Sequence, residues 1–526
     1  MTSRQRWTLL ATIIGSGAVF LDGTIVNVAL PSIGRQLPSS LFGVLEGQTY
    51  VVSGYLGVLA ALLILAGALS DHYGRRRIYA LGLASFAATS ALCGLAPTLE
   101  WLVVFRLLQG AAGALLIPGA LSIITQTFEG EAARGRAFGV WASATSGLVL
   151  LGPLVGGLIV DTVGWRVAFL VNVPVLAFAL WVTLRHVAES RATGARRFDW
   201  LGSAVAASAI GGLSFGLIRG GEEEWQDPVA WIAIAIGVVA LVAFPVVMSR
   251  RKDPLVPLSL FRVRAFATIN LATFFIYGGL YVTFSYQGIL FQNVLGYTAL
   301  AAGAVGLPTG LCLTLLSTRV GAAAGRIGSR LFLVTGPLLV AVGLLWFARF
   351  PVDSAPWVAS LTDPATLIPP PDVFIDVLPS VLLFGIGMAF VVAPLTNTLM
   401  GSVPTGYSGL GSAINNAIAR VGQPLLGAVI FVAIGATFYS SLGTLAPDLD
   451  VHSPQVRSTF SPLNPPADAS PDKIAAAKGA SVEAFRLAMF LAAGLFATGA
   501  AVSWFGLPDD KAPRLAHAAE APCAAG

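Results

Sequence analysis

Two opposite charges lie inside long apolar stretches of this 526-residue chain. Asp22 is the only carboxylate well inside the first stretch, and Arg106 lies inside the fourth. At 1.5 Å per helical residue they are ~12 Å and ~10 Å from the same edge, so an ion pair is predicted. Burial raises the pKa of an acid, whereas an arginine partner lowers it. The arrival of another molecule can therefore shift the acid between its protonated and ionised forms. This pattern favours a proton site; the alternative is a static pair that only fixes helix packing.

Small residues and a proline cluster in the fifth apolar stretch, which reads GLVLLGPLVGG. Glycines let a neighbouring helix approach closely, and proline removes a backbone donor and bends its helix. Ordinary small-residue packing is the alternative, but so many glycines around one proline favour a pliable hinge or a tight seal. The residues of this predicted hinge are Gly147, Gly152, Pro153, Gly156 and Gly157.

A charged cluster, GALSDHYGRRRIY, separates the second and third apolar stretches. Glycine permits a tight reversal, and a carboxylate there needs a partner. We expect Asp71 to bridge to the small-residue start of the thirteenth stretch, near residues 407–411, as a gate latch. The arginines alone are explained by topology, because they hold the loop in the cytoplasm. The predicted gating residues are Gly67, Asp71, Gly74, Arg75 and Arg76.

The composition belongs to a protein solvated mainly by lipid. It is 56% hydrophobic and 11% charged, whereas soluble domains are about 25% charged. The net charge of +5 follows membrane sidedness, so no nucleic-acid partner is expected. Cys93, Cys312 and Cys523 have no pairing or metal-ligand spacing, and we expect no metal site.

Fourteen segments are long and apolar enough to cross a membrane, which needs roughly 20 residues each. Most of the 31 Lys and Arg residues fall on one side, which the positive-inside rule places in the cytoplasm with both termini. The acidic turn Glu222–Asp227 is predicted to be solvated on the other side. The predicted spans are about 7–30, 45–70, 76–96, 99–127, 135–160, 165–187, 199–219, 228–249, 265–293, 299–324, 330–350, 373–402, 407–438 and 483–506.

The chain also repeats weakly. GAAAGRIGSR at 321–330 follows an apolar run as GALSDHYGRR does at 67–76, with Gly325 in the place of Asp71. Paired halves are typical of transporters. We predict an all-α polytopic membrane protein in which two six-helix bundles flank an inserted pair of helices. The predicted units are 1–187, 188–264, 265–506 with long outer loops 351–372 and 439–482, and a cytoplasmic tail 507–526.

These motifs resemble those of the major facilitator superfamily. GALSDHYGRRRIY is similar to its loop 2–3 signature, FRLLQGAAGA to its span 4 proton-coupling motif, and GLVLLGPLVGG to its antiporter motif. LDGTIVNVALP, WRVAFLVNVPV and GLGSAINNAIARVGQPLLGAVI resemble the fourteen-span drug:proton antiporters. The resemblance covers nearly the whole chain apart from the two outer loops and the tail.

The resemblance implies a monomeric transporter of the bacterial inner membrane, with rocking bundles and protons entering as a small-molecule substrate leaves. It implies no cofactor beyond the proton gradient, coupling at Asp22 and Arg106, and gating at Asp71 and Arg75. Late spans offer only Asp376 as an acid, so a neutral, zwitterionic or monocationic substrate is favoured over a dication. Candidate cavity residues are Asn27, Gln109, Tyr277, Tyr281, Gln287, Asn397, Asn415, Asn416 and Arg420.

Two other functions stay open on the sequence. The same fold can import a nutrient with protons, although the Gly147–Gly157 motif argues against a symporter. A membrane enzyme or a sensor is the second alternative. Against an enzyme, no His, metal-ligand or Ser/His/Asp set stands at usable spacing inside the spans. Against a sensor, no soluble signalling domain is attached.

Overall fold

A computed structural model describes residues 1–191, 199–352, 354–403, 408–466 and 468–508. These residues are almost entirely helical, and they contain no strand beyond two isolated bridges. The helices are α1 Ser3–Gln36, α2 Val44–Tyr73, α3 Arg75–Gly94, α4 Leu99–Thr127, α5 Glu131–Thr162, α6 Trp165–Leu170, α7 Asn172–His186, α8 Trp200–Glu222, α9 Pro228–Arg250, α10 Arg264–Ile289, α11 Ala299–Ala304, α12 Leu307–Ile327, α13 Ser329–Phe347, α14 Leu378–Gly401, α15 Ser408–Leu445, α16 Pro454–Thr459 and α17 Pro471–Gly506.

The predicted spans are reproduced as helices or short helix runs. Within the described ranges, 12 runs are long and apolar enough to cross a membrane, and α5, bent by about 40° near Val149, raises the number to 13. Its Pro153 lies four residues after Val149, where a proline ring clashes with the helix carbonyl. The remaining predicted span is α3, whose 20 residues begin with three arginines. It packs against α4 and α7.

Contacts group most of the spans into two sets. Helices α1–α7 pack on one another, and α10–α15 with α17 pack on one another. The halves meet where α1 contacts α10, α2 contacts α15 and α5 contacts α11. The inserted α8 lies against both α2 and α15, and α9 packs on α8 with most of its surface facing outwards.

We call the face at which α1 begins the inner face and the opposite one the outer face. On this definition α1, α5 and α10 end at the outer face, whereas α2 and α11 begin there. The turn between α2 and α3 therefore lies at the inner face. Contacts between the halves can be assigned to one face or the other from their places along these helices.

Candidate functional site

Asp22 and Arg106 form a buried ion pair between α1 and α4. Arg106 Nη1 lies 2.5 Å from Asp22 Oδ2, and each side chain is 1% exposed. The sequence predicted matching depths for these two residues, and the structure places them in direct contact. Removing either partner alone would leave an uncompensated charge in the membrane interior.

Further hydrogen bonds hold this pair in place. Gln109 Nε2 donates to Asp22 Oδ1 at 3.1 Å, and Gln109 Oε1 accepts from Arg106 Nη1 at 2.7 Å. Arg106 Nε donates to the Val51 carbonyl at 3.1 Å, and the guanidinium lies 4.0 Å from the centre of the Tyr55 ring. Gln109 was predicted as a cavity residue, and it lies instead in the hydrogen-bond shell of the pair. Proton coupling by this group stays a prediction.

The predicted gating loop is held inside its own half. Asp71 Oδ1 accepts from Arg75 Nη2 at 2.8 Å, one helical turn away. Gly74 has φ 113°, a conformation that L side chains rarely adopt. Glu189, which follows α7, accepts from the Arg76 backbone N–H at 3.1 Å. No contact from Asp71 to α15 occurs among the described residues, Tyr407 falls outside them, and the latch stays a prediction.

The glycine motif of α5 packs at the outer half of the molecule. A Cβ on Gly152 would lie 2.0 Å from Thr24 Oγ1, and one on Gly156 would lie 3.1 Å from Ile25 Cα, both in α1. A Cβ on Gly157 would lie 2.3 Å from the Ala299 carbonyl oxygen in the second half. Conversely, a Cβ on Gly303 would lie 2.1 Å from the carbonyl oxygen of Pro153. These helices touch through their backbones, so larger residues do not fit at these positions.

Asp161 extends this contact at the outer end of α5. Its Oδ1 accepts from the Ala299 N–H at 3.1 Å and its Oδ2 from the Leu300 N–H at 2.7 Å. These are the first two N–H groups of α11, which have no partner within their own helix. A carboxylate also complements the positive end of the helix dipole. Asp161 therefore ties the first half to the second.

A chain of polar side chains crosses between the halves at the same face. Arg35 of α1 donates to Asn293 Oδ1, and Asn293 Nδ2 donates to Asn464 Oδ1 at 2.6 Å. Asn464 Nδ2 donates to Gln48 Oε1 at 3.2 Å, and Gln48 Nε2 donates to the Leu30 carbonyl at 2.8 Å. Asn464 belongs to the long outer loop 439–482. The loop thus lies across the boundary between the bundles.

The outer loop also binds the acidic turn that was predicted to be solvated. Glu224 contacts His452 Nδ1 at 2.9 Å and pairs with Arg457. Partial burial opposes the shift, but the hydrogen bond from His452 and the charge of Arg457 hold the pKa of the Glu224 carboxyl below its usual range. Arg219 pairs with Asp227 at 2.9 Å and with the buried Glu46 at 3.4 Å. The turn keeps Glu223, Trp225 and Gln226 exposed, while Glu224 and Asp227 are paired with basic residues.

The remaining predicted cavity residues separate into groups. Asn27 lies between the halves and accepts from Ser285 Oγ at 3.3 Å. Tyr277 and Tyr281 stand one turn apart on α10, with ring centres separated by 6.4 Å. Asn415 is used within the second half, where it donates to Asn270 at 3.2 Å. Gln287 lines a separate cavity inside that half.

The last three candidates lie on α14 and α15. Asn397 is exposed on α14. Asn416 donates to the Ser412 carbonyl at 3.0 Å, and its own carbonyl accepts from Arg420 Nη1 at 3.1 Å. Within the described ranges no group of three or more His, Cys, Asp or Glu residues is placed to hold a metal ion.

Sequence reasoning missed five of the residues that join segments. Glu189 and Asp161 are single acids just outside or at the end of a span, where an acid is unremarkable. Asn464 lies in a Pro-, Ser- and Asp-rich loop, and Gln48 has no pattern around it. Glu46 offered a usable signal, because an acid within the first turn of span 2 is costly unless it is paired.

A family profile and several relatives match most of the chain. The profile of the Major Facilitator Superfamily matches residues 12–427. The chain is 31% identical to the multidrug resistance protein Stp of Mycobacterium tuberculosis (strain ATCC 25618 / H37Rv), over 97% of this chain and 93% of that protein. It is 33% identical to the tetracenomycin C resistance and export protein of Streptomyces glaucescens, over 84% of this chain and 77% of that protein.

Solved structures share the fold at low sequence identity. A bacterial homologue of the human lysosomal transporter Spinster, in an inward-facing and unoccupied conformation, superimposes with a TM-score of 0.61 at 16% identity, covering 96% of this chain and 97% of that one. A D-xylose–proton symporter gives a TM-score of 0.57 at 17% identity, covering 96% and 98%. The fold, the profile match over most of the residues and the full-length relatives agree: this chain belongs to the Major Facilitator Superfamily.

Proposed function

We propose that this protein is a proton-coupled antiporter that exports lipophilic small molecules by alternating access. Two relatives that match most of the chain are named for multidrug resistance and for tetracenomycin C resistance and export. The two-bundle fold supports a transporter in place of the enzyme alternative. The observation that carries proton coupling is the ion pair of Asp22 and Arg106, which is buried within the spans and hydrogen-bonded to Gln109.

The chemistry of this pair suits a proton switch. Protonation of Asp22 removes its negative charge and weakens its attraction for Arg106 and Gln109. Arg106 also binds the Val51 carbonyl of α2, so a change in its position is felt by a helix that contacts the second half. Proton gain and loss can therefore bias how the halves pack, which is what coupling requires.

The proposal includes the placement of the chain. Both termini lie in the cytoplasm, because the basic residues concentrate on that side. The bundles are residues 1–187 and 265–506, joined by the insert 188–264. The working unit is a monomer of the bacterial inner membrane that takes its energy from the proton gradient and needs no cofactor.

The test is Asp22→Asn in proteoliposomes with an imposed pH gradient. We expect this variant to fold, because Asn can still accept from Arg106, and to lose transport driven by the gradient. Asp472→Asn changes an exposed acid in the first turn of α17 and serves as the matched control. Full gradient-driven transport by Asp22→Asn would refute the assignment of the proton site.

The same preparation decides between export and import. An antiporter moves substrate against the direction of the imposed proton gradient, whereas a symporter moves it in the same direction. Substrate counterflow measured under both gradient orientations separates the two functions. We expect the antiport direction, since residues 147–157 resemble the antiporter motif.

A further inference from the structure

Arg420 is a buried positive charge in the second half, on α15. Its residue is 5% exposed. It lies 12 residues from the start of α15 at Ser408, so it is roughly 18 Å along the helix and near mid-membrane. Among the described residues, no carboxylate oxygen lies within 4.0 Å of the Arg420 guanidinium nitrogens, so Arg420 forms no salt bridge there. An ionised group at this depth is costly without a partner, and in membrane proteins it marks a functional position.

The hydrogen bonds of Arg420 leave most of its donors free. Its Nη1 donates to the Asn416 carbonyl at 3.1 Å and to Asn416 Oδ1 at 3.3 Å, both on its own helix. Arginine carries five N–H donors in a planar fork. In the described part of the chain, Nε and Nη2 donate to no acceptor, and neither is among the polar atoms sealed from solvent. Water can therefore reach these two nitrogens.

The surroundings of Arg420 belong to the boundary between the halves. The guanidinium carbon lies 5.8 Å from the centre of the Phe20 ring, on α1 of the opposite half. Arg420 of the second half thus lies beside an aromatic side chain of the first half, and small-molecule sites combine such rings with a few polar groups.

A second buried polar atom without a partner lies one turn further along α15. Gln423 is 3% exposed, and its Oε1 accepts no hydrogen bond in the described part of the structure. It lines a small cavity with Thr49 and Ser285, between the two halves. Buried polar atoms are normally paired, so this acceptor marks a second position at the boundary between the halves where the described residues supply no partner.

Comparison with Arg106 shows that this arrangement is not a property of every buried arginine in the chain. Arg106 has a carboxylate, an amide and a backbone carbonyl around it. Among the described residues, Arg420 donates only to the two oxygen atoms of Asn416. The guanidinium fork matches a carboxylate in a bidentate geometry, so the missing partner has the chemistry of an anionic oxygen group.

We propose that Arg420 is a specificity-determining residue that binds an acidic oxygen group of the exported molecule, a carboxylate, phenolate or enolate, while Phe20 contacts its apolar part. This inference rests on the proposed export function and narrows the substrate class to lipophilic acids. It differs from the expectation from the sequence, a neutral, zwitterionic or monocationic substrate, which followed from the scarcity of acids in the late spans.

The test uses three probes that share one ring system. They are 1-pyrenebutanoic acid, its methyl ester, and trimethyl(pyren-1-ylmethyl)ammonium. Binding to the purified full-length protein in detergent is measured by energy transfer from tryptophan to pyrene. We expect the wild type to bind the acid at least about tenfold more tightly than the ester, the value of one buried charge-assisted pair. Arg420→Gln should lose that preference and change ester binding less than about twofold.

Two further variants keep the result interpretable. Arg349→Gln removes an exposed arginine of the same half that lies over Trp346, and it should leave all three affinities unchanged. Arg420→Lys keeps the charge but not the fork, and it should weaken acid binding several-fold without affecting the ester. This variant replaces Arg420→Gln as the decisive one if the latter fails to fold in size-exclusion chromatography.

Several outcomes would overturn the inference. The first is a wild type that binds the ester or the ammonium probe as tightly as the acid. The second is an Arg420→Gln variant whose affinity falls equally for all three probes. The third is an Arg420→Lys variant whose affinity for the acid is unchanged. An equal loss would make Arg420 a structural residue. Failure of the wild type to move the bound acid under a pH gradient is a different result, since it counts against antiport and leaves the binding preference intact.

Discussion

The outer and inner faces of the molecule are closed to different extents. At the outer face, backbone contacts at Gly157 and Gly303, the Asp161 cap and the Asn464 chain join the halves. Towards the inner face, a Cβ on Gly139 or Gly147 of α5 would meet no neighbouring atom within 4 Å among the described residues. Asp71 there pairs within its own loop. The structure therefore has the arrangement expected when the substrate path is shut on the outer side.

The two faces also differ in the chemistry of their contacts. The outer contacts between the halves are close glycine packing and hydrogen bonds, in which Asp161 and Arg35 each bond to neutral groups and Asn464 bonds to Gln48. The inner loop is held by pairs of opposite charges, Asp71 with Arg75 and Arg77 with Glu189. A neutral hydrogen bond contributes only about 0.5–1.5 kcal/mol net, and one to a charged group about 1.5–3 kcal/mol. An outer seal made of several such contacts can be opened by a modest change in binding energy, as alternating access requires.

The largest effect on this comparison is expected from Gly157→Leu. A Cβ at this position would lie 2.3 Å from the Ala299 carbonyl oxygen, and backbone cannot move aside cheaply in a packed interface. We expect the outer face to stay open and transport to fall to background. The measurement is labelling of Ser285→Cys by a membrane-impermeant maleimide added from the outer side, in a background with Cys93, Cys312 and Cys523 replaced by serine.

The matched control for this prediction is Gly147→Leu in the same motif. Among the described residues, a Cβ at this position would meet no neighbouring atom within 4 Å, so outer labelling should stay at the wild-type level. Equal labelling of the two leucine variants would mean that the outer seal does not depend on the contact between α5 and α11.

The difference between the faces also shows what the sequence could and could not predict. Asp22 and Arg106 were predictable because a charge in an apolar span is rare and the helical rise fixes its depth. Asn464 was not, because its partner Gln48 is far away in the chain and neither residue belongs to a periodic pattern. Asn415 was assigned to the cavity, but polar residues that tie one helix to another look the same in sequence as residues that face a substrate.

A smaller effect is expected from Asp161→Asn. The amide keeps one acceptor oxygen for the N–H groups of Ala299 and Leu300 but loses the charge that favours the start of α11. The outer-closed state should be destabilised by about 1 kcal/mol, which lowers the ratio of outer-closed to outer-open molecules about fivefold. Labelling of Ser285→Cys should rise accordingly, while Asp363→Asn, at an exposed outer turn, should change nothing. An unchanged rate in Asp161→Asn would show that this cap does not hold the halves together.

The smallest effect is expected where the outer loop crosses between the halves. Asn464→Ala removes the bonds to Asn293 and Gln48, but water can replace both at a surface, so the loss should be about 0.5–1 kcal/mol. Gln48→Ala also loses its bond to the Leu30 carbonyl. A double-mutant cycle therefore isolates the free energy of the interaction between Asn464 and Gln48. Outer labelling of the single variants and the double variant should give a coupling free energy above zero. A coupling free energy of zero would mean that the loop does not contribute to closing the outer face. The contact between α5 and α11 would then close it without the loop.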